Sequence, residues 1–353
     1  MLTRKQISSI TVNAIAVKLL ITFPHTIIEV CKTAAWLAAV YCSFLIFLIF
    51  LATVRLYHSD RNVIGLAEKL GGIPLRIVTG MIVFLSLFAN YFTLVRIFPE
   101  VVRLVLLQTT YVELIGLFFA VCTIFGAYCG PEAIARITEM LLPGNGFTFA
   151  AFILLLIPTM NTENIFPLLG SGVHDIFLGS IPFLSVFSDL LLLNLLIPYM
   201  KDRSDYRRAG IRTAIFGGMV ASLVITAYCF SYVYPITKMY LLPVYQLERL
   251  IHLGSFFSRL EAVFQFIWSI AIMLYASLYL FVLAEVWRET FGLNASKPLL
   301  APIMLSAAGA AFIPADLSAA AAVEAFIGNW LYIPTLGLPL VFGLITKMFH
   351  VKQ

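Results

Sequence analysis

Residues 174–205, HDIFLGSIPFLSVFSDLLLLNLLIPYMKDRSD, decide the fold of this chain. The apolar part, Ile176–Met200, is longer than the ~20 apolar residues that a helix needs to cross a bilayer. Pro182 removes a backbone donor within it. Polar groups follow near half depth: Ser185, Ser188 and Asp189. A plain membrane anchor does not need such groups, whereas an interrupted helix that faces a small ligand does. We therefore predict an interrupted membrane helix here.

The composition indicates the class of the whole protein. Hydrophobic residues make up 61% of the 353 residues and charged residues only 12%, and the mean hydropathy is +0.98. Soluble domains have about 25% charged residues. The apolar runs lack the alternation of a membrane barrel, so we predict an all-α integral membrane protein. The net charge of +5 is attributed to membrane topology, and no nucleic-acid partner is expected.

The apolar runs predict ten membrane spans in a single polytopic domain, 1–353. Their approximate bounds are 7–31, 34–56, 75–106, 111–129, 147–166, 176–200, 212–234, 260–287, 299–315 and 331–348. The first run lacks a small-x-small cleavage site and is predicted to be a retained helix. Three connecting segments are too polar to span and are predicted to be short surface helices: Asn62–Leu70, Gly130–Met140 and Tyr245–Phe257.

Charge distribution predicts the orientation. With both termini cytoplasmic, sixteen of the 23 lysine and arginine residues lie inside, six lie outside and Lys18 lies within a span. Cytoplasmic segments carry such an excess, so this orientation is favoured. Ten spans divide into two halves of five, about 7–166 and 176–348, and an odd number per half inverts the second half. This is the arithmetic of an inverted repeat with broken first helices, here at Pro24 and Pro182.

Several stretches resemble one known family. They are IPFLSVFSDLLLLNLLIPYMKD (181–202), YQLERLIHLGSFFSRLEAVFQFIW (245–268), AAWLAAV (34–40), GPEAIARITEMLLP (130–143) and the N-terminal ISS (7–9). Together they resemble the B subunits of bacterial spore germinant receptors, which are spore germination permease-like proteins of the amino acid–polyamine–organocation superfamily. The resemblance covers nearly the whole chain, and residues 249–268 are its most specific part.

The resemblance implies a leucine-transporter-like fold, a 5+5 inverted repeat with broken helices 1 and 6. It places the protein in the spore inner membrane, with both termini on the core side. It also implies assembly with a membrane A subunit and a lipoprotein C subunit, and recognition of a small germinant such as an amino acid.

The two predicted breaks define the expected ligand site. Exposed N–H groups at the N-terminus of a half-helix suit a carboxylate, because the helix dipole places partial positive charge there. Carbonyl groups freed by a break suit an ammonium. The predicted ligand-binding residues are Thr22, Phe23, His25, Thr26, Phe183, Leu184, Ser185, Phe187 and Ser188. In the alternative interpretation, Pro24 and Pro182 only kink their helices, and the serines bond to backbone carbonyls.

Two ionisable residues are predicted to lie deep in the membrane. Lys18 follows the predicted start of span one by eleven residues, or roughly 16 Å. It could replace a coupling ion beside span one, pair with Asp189, or extend along a shifted helix to the cytoplasmic interface. Asp189 is predicted either to lie at the ligand site or to cap the inner half of span six. Asn90, Trp268 and Ser269 are second-rank ligand candidates, with helix–helix hydrogen bonding as the alternative.

No nucleophile–base arrangement, phosphate-binding glycine loop or metal-ligand spacing occurs in the sequence, so we expect neither an enzyme nor a cofactor. Three functions remain open. The first is a sensor that binds a germinant and signals to partner subunits. The second is a proton-coupled amino acid transporter, and the third is a structural membrane subunit without a ligand. One fold can serve all three functions.

Overall fold

The computed structural model describes residues 1–20, 23–57, 59–251 and 260–348, and for Leu20, Phe23, Arg203 and Leu260 it describes the backbone alone. This part of the chain is almost entirely helical, and within it the only β-type pairing is an isolated bridge between Leu2 and Met200. The α-helices are α1 (Arg4–Leu20), α2 (Phe23–Cys31), α3 (Ala35–Leu56), α4 (Val63–Val105), α5 (Val112–Cys129), α6 (Pro131–Leu156), α7 (Leu190–Leu195), α8 (Arg203–Ser231), α9 (Pro243–Leu250), α10 (Leu260–Phe291), α11 (Leu300–Ala311) and α12 (Leu317–Met348).

Eight helical stretches in the described residues are long and apolar enough to cross a membrane. They are Pro24–Leu56, Val63–Val105, Val112–Cys129, Pro131–Thr159, Asp175–Leu195, Ser204–Ser231, Glu261–Phe291 and Leu317–Met348. The prediction of an all-α integral membrane protein is therefore confirmed. Helix α1 and the shorter apolar stretch Lys297–Ala311 lie where the first and ninth spans were predicted. The count of ten spans and the 5+5 repeat stay predictions.

The surface helix predicted at Asn62–Leu70 is the first part of α4. The Asn62 side chain caps it by accepting a hydrogen bond from the Gly65 amide. The α-helical backbone is broken at Gly71 and Gly72, and Gly72 has φ +69°, which favours glycine. An ion pair at 2.6 Å between Arg76 and Glu68 links the two sides of this break.

Two predicted boundaries are wrong. Gly130–Met140 is not a separate surface helix, because α6 continues from Pro131 to Leu156 through Pro143. The helical stretch ends at Thr159, so the fifth span ends before residue 166. The last span does not begin at residue 331, since α12 begins at Leu317, and the Asp316 carboxylate accepts a hydrogen bond from the Ala319 amide at 2.8 Å. The third predicted surface segment contains α9, but residues 252–259 lie outside the described residues.

Burial separates the inner segments from the peripheral ones. In the most apolar windows of Asp175–Leu195 and Glu261–Phe291, 72% of the residues are buried, against 11% for Pro131–Thr159. The stretch Asp175–Leu195, called the interrupted segment below, and α10 therefore lie inside the bundle, and α6 lies at its surface. A polar group on the interrupted segment must find its partner within the protein.

Candidate functional site

The interrupted segment is not a regular α-helix over most of its length. Asp175–Gly179 forms a turn of π-helix, Ile181–Asp189 is 3₁₀-helical, and only Leu190–Leu195 is α-helical. Pro182 lies in the first turn of the 3₁₀ part, where a missing N–H costs least. The predicted interruption at Pro182 is present. The same tight winding brings Ser185, Ser188 and Asp189 into the interior.

The centre of the site is a buried ion pair. Lys18 Nζ lies 3.0 Å from Asp189 Oδ1, and the two side chains are 4% and 1% exposed. The lysine also donates a hydrogen bond to the Ser188 hydroxyl, and the Tyr275 hydroxyl donates to Asp189 Oδ2 at 3.1 Å. Of the three interpretations of Lys18, this geometry fits pairing with Asp189. The extension to the interface is wrong, because the side chain turns inward from the last turn of α1.

Such a pair is costly to bury and costlier to break. Desolvation penalises both charges, and their attraction compensates only when the geometry is good and hydrogen bonds satisfy the remaining atoms. Here Ser188 and Tyr275 supply those hydrogen bonds. The pair therefore holds α1 against the 3₁₀ part as long as both charges remain.

A small cavity lies beside the interrupted segment. It measures about 50 Å³. It is lined by Thr26, Ile27, Val30, Gly179, Ser180, Pro182, Phe183, Glu324, Ala325, Gly328 and Asn329. Sites for small molecules measure about 300–1,000 Å³, whereas a water occupies about 30 Å³. In this conformation the cavity has room for a water molecule but is too small for an amino acid.

Helix α12 closes the cavity on one side. The Ser185 hydroxyl donates a hydrogen bond to the Gly328 carbonyl, which ties the 3₁₀ part to the middle of this helix. Glu324, one turn before Gly328, lines the cavity and lies within electrostatic range of Lys18. Sequence reasoning missed Glu324, because it began the last span at residue 331. The signal was present in the alanine-rich run 319–322 after Asp316, which is typical of a capped helix start.

The other residues predicted on the interrupted segment and the first break occupy different positions. Phe183 lines the cavity, whereas Leu184 and Phe187 are buried in the apolar core. Thr26 lines the cavity from α2, and His25 is half-buried beside it in the sequence. Thr22 lies outside the described residues, and the side chain of Phe23 is not described.

The second-rank residues split into two groups. Asn90 donates a hydrogen bond at 2.9 Å to the Tyr279 hydroxyl, and the ring of Tyr279 lies 5.3 Å from that of Tyr275. Asn90 is therefore connected to the ion pair through two tyrosines. Ser269 bonds to the Gln265 carbonyl of its own helix, and Trp268 lines a different cavity of about 20 Å³. The structure does not bring Trp268 or Ser269 to the ion pair.

Metal ligands are not clustered in the part of the chain that the structure describes. No group of three or more histidine, cysteine, aspartate or glutamate side chains there could hold a metal ion. The site contains a paired ammonium and carboxylate, two serine hydroxyls and a small cavity with both polar and apolar lining. Such an arrangement can bind a polar ligand, and it can change position when the charges are rearranged. Among the described residues it does not bring together a nucleophile and a base for covalent chemistry.

The fold and this site together define an integral helical membrane protein with a charged centre at an interrupted inner helix. A family model described as spore germination protein, the spore permease family, matches residues 1–319. The chain belongs to this family, as its sequence predicted.

A curated relative agrees with this membership. The chain is similar to "Spore germination protein KB" of Bacillus subtilis (strain 168), with 24% identity over 195 residues. The alignment covers 53% of this chain and 51% of the relative, so it spans about half the length of the curated relative. The protein is therefore a germination-related membrane protein.

Proposed function

We propose that this protein is the membrane subunit of a spore germinant receptor. It senses a small germinant of the amino-acid class and passes a conformational change to partner subunits, which starts germination. One observation carries the proposal: the buried Lys18–Asp189 pair joins α1 to the interrupted helix, and Glu324, within electrostatic range of Lys18, lines the cavity beside that helix. Membership of the spore germination family supports it.

The proposed architecture has ten spans in a 5+5 inverted repeat of the leucine-transporter type. Helices α1 and α2 would together form the broken first span, and residues 175–200 the broken sixth span. In that arrangement Lys18 takes the place of a coupling cation beside span one, since it holds a positive charge at mid-depth without a bound ion. The proposed location is the spore inner membrane, with both termini on the core side.

The cavity must open for a ligand to bind. At about 50 Å³ it excludes an amino acid, so the structure corresponds to a closed state. A ligand that fits only an opened cavity shifts the population towards the open state. Opening between Phe183 and Gly328 strains the Ser185–Gly328 hydrogen bond, which moves α12 relative to the interrupted segment. This movement is the proposed signal.

The proposed partners are a membrane A subunit and a lipoprotein C subunit. The aromatic-rich segment Tyr232–Tyr245, which follows α8 and runs into the first turn of α9, is the proposed surface for such a partner. Within it Val233, Lys238 and Met239 are exposed. Exposed apolar side chains such as Met239, beside half-buried tyrosines, suit a protein contact.

A proton-coupled amino acid transporter is the second candidate function. Glu324 favours it, because a carboxyl that lines the cavity near Lys18 could exchange a proton during a transport cycle. A sensor needs no such exchange. The two functions differ in whether the protein alone moves its ligand across a membrane.

Two measurements on the purified chain decide between them. Binding is measured by thermal shift against the twenty amino acids, and uptake of the same labelled amino acids is measured in liposomes. Binding without accumulation is expected for the sensor. Accumulation driven by a pH gradient would move the assignment to a transporter, and neither binding nor uptake, by the chain or by the assembled receptor, would leave a structural subunit.

Substitution of Ser185 by Ala tests the site in spores. The lost hydrogen bond to Gly328 is worth about 1 kcal/mol, so the concentration of germinant for half-maximal response should change about fivefold. Ser86→Ala is the matched control, since Ser86 bonds only to its own helix and is partly exposed. An unchanged response of Ser185→Ala spores, with normal protein abundance, contradicts a ligand site at the interrupted helix.

A further inference from the structure

A large groove lies on the membrane-facing surface, on a part of α1 far from the Lys18 end. It measures about 940 Å³ and is formed by α1, α6 and α8. Its apolar walls include Phe149, Ile153, Leu154, Phe216 and Leu223. Three charged side chains border it: Lys5, Glu139 and Arg212. Apolar walls with charges at one edge match a molecule that has hydrocarbon chains and a charged head.

The groove exists because two helices pack closely and the third leaves space. Thr11 of α1 and Thr213 of α8 share a buried hydrogen bond at 2.6 Å. A side chain at Gly217 would meet Ile15, so α1 and α8 are in close contact there. In α6 the opposite holds, because a Cβ added at Gly144 or Gly146 would meet no atom within 4 Å. The space beside α6 is therefore open to the bilayer.

The charged edge indicates the head group. Lys5 and Arg212 are exposed, and both lie in segments that the charge bias assigns to the cytoplasmic side. Two positive charges against the single negative charge of Glu139 leave the edge positive. Basic pockets between membrane helices on that side bind anionic lipid head groups, and arginine forms paired hydrogen bonds with phosphate.

We propose that this groove binds an anionic phospholipid. Its acyl chains lie between α6 and α8, and Lys5 and Arg212 hold its phosphate. Ser8 and Ser9, which line the groove next to Lys5, lie at the level of the glycerol esters. The volume lies within the 300–1,000 Å³ range of sites that bind small molecules. An anionic lipid supplies both parts that this surface requires, since its acyl chains match the apolar walls and its phosphate is the counter-charge for Lys5 and Arg212.

The test uses the purified full-length chain and native mass spectrometry. Dioleoyl phosphatidylglycerol is compared with dioleoyl phosphatidylcholine, which has the same chains and no net charge. Phosphatidylglycerol should be retained in preference. Removal of each basic residue should weaken its binding about fivefold, so that the double variant Lys5→Gln/Arg212→Gln loses about 25-fold. Arg136→Gln, an exposed basic residue of α6 that does not line the groove, should change nothing.

A second pair of variants tests the acyl-chain part. Gly146→Leu fills the groove without meeting protein atoms, and it should weaken binding of both lipids. Gly144→Leu is its control, because the added side chain also enters open space but Gly144 does not line the groove. Free glycerol phosphate should not displace the lipid.

Three outcomes would overturn the proposal: equal retention of the two lipids by the wild type, wild-type retention of phosphatidylglycerol by the double variant, or displacement of the lipid by free glycerol phosphate. Equal retention of the two lipids would instead favour a helix of a partner protein as the occupant of the groove. Size-exclusion profiles of all variants exclude misfolding as a cause.

Discussion

Replacement of Lys18 by Met removes the ammonium of the buried pair and keeps the length of the side chain. Asp189, which is 1% exposed, then keeps only the Tyr275 hydroxyl as a hydrogen-bond donor among the described residues. The carboxylate must stay charged without a counter-charge or take up a proton. Both outcomes raise the free energy of the folded state.

The magnitude follows from the burial. Breaking a buried ion pair by removing one partner costs about 3–5 kcal/mol. With about 2.1 cal/mol/K of unfolding entropy per residue, a chain of 353 residues converts this loss into a Tm lower by about 4–7 °C. The Lys18→Met/Asp189→Asn double variant carries neither charge, so most of that loss should be recovered.

The assay is thermal unfolding of the purified chain in one detergent, followed by tryptophan fluorescence. Lys201→Met is the matched control, since Lys201 is exposed just after the interrupted segment. We expect each single variant, Lys18→Met and Asp189→Asn, to unfold several degrees below the wild type and the double variant to unfold close to it. Two results would show that the buried pair does not hold α1 in place. The first is a Tm of Lys18→Met equal to that of Lys201→Met, and the second is a decrease in the Tm of the double variant equal to the sum of the decreases in the single variants.

Two further predictions concern packing and pH. A Cβ at Gly343 would lie 2.9 Å from backbone atoms at the end of α3, so Gly343→Ala should destabilise the folded state by about 1–3 kcal/mol. Gly309→Ala is the control, because a Cβ there would enter open space and should not change the stability. Thermal unfolding of both variants checks this prediction. Burial, together with the charge of Glu261, raises the pKa of Glu248 well above its usual range. As the pH rises, the Glu248 carboxyl therefore keeps its proton in the native state after the unfolded state has lost it. The free energy of unfolding should then fall as the pH rises above about 4.3. Because Glu248→Gln has no such proton, its Tm should fall less than that of the wild type between about pH 4.5 and 7.5. Glu163→Gln, at an exposed position, should follow the wild type, and a Glu248→Gln curve parallel to the wild type would contradict the prediction.

The charged centre could be predicted only in part from the sequence. Lys18 and Asp189 stand out because ionisable residues deep in a membrane span are rare and need partners. Their pairing was one of several alternatives, since residues 171 positions apart in the chain carry no local signal of contact. The hydrogen bond of Ser185 to Gly328 could not be predicted either, because its acceptor is a backbone carbonyl.

The boundary errors have a physical cause in the membrane environment. Pro143, Gly144 and Gly146 follow one another as in a turn, which favours a break in a soluble protein. In lipid, no water replaces the lost backbone hydrogen bonds, so the helix continues through them as α6. The predicted bounds of the last span likewise left Glu324 outside it, although Glu324 lies within α12 and lines the cavity beside the interrupted helix.

Helix α1 connects the two sites that we propose. Lys5 lies at the groove and Lys18 at the ion pair, thirteen residues or about 20 Å apart on the same helix. A lipid that holds the Lys5 end favours one position of α1, and the Lys18–Asp189 pair fixes that position at the other end. If opening of the cavity moves α1, lipid and germinant must change each other's affinity by the same factor. Germinant binding measured in phosphatidylglycerol and in phosphatidylcholine therefore reports on both sites at once, and equal affinities would show that α1 does not move when the cavity opens.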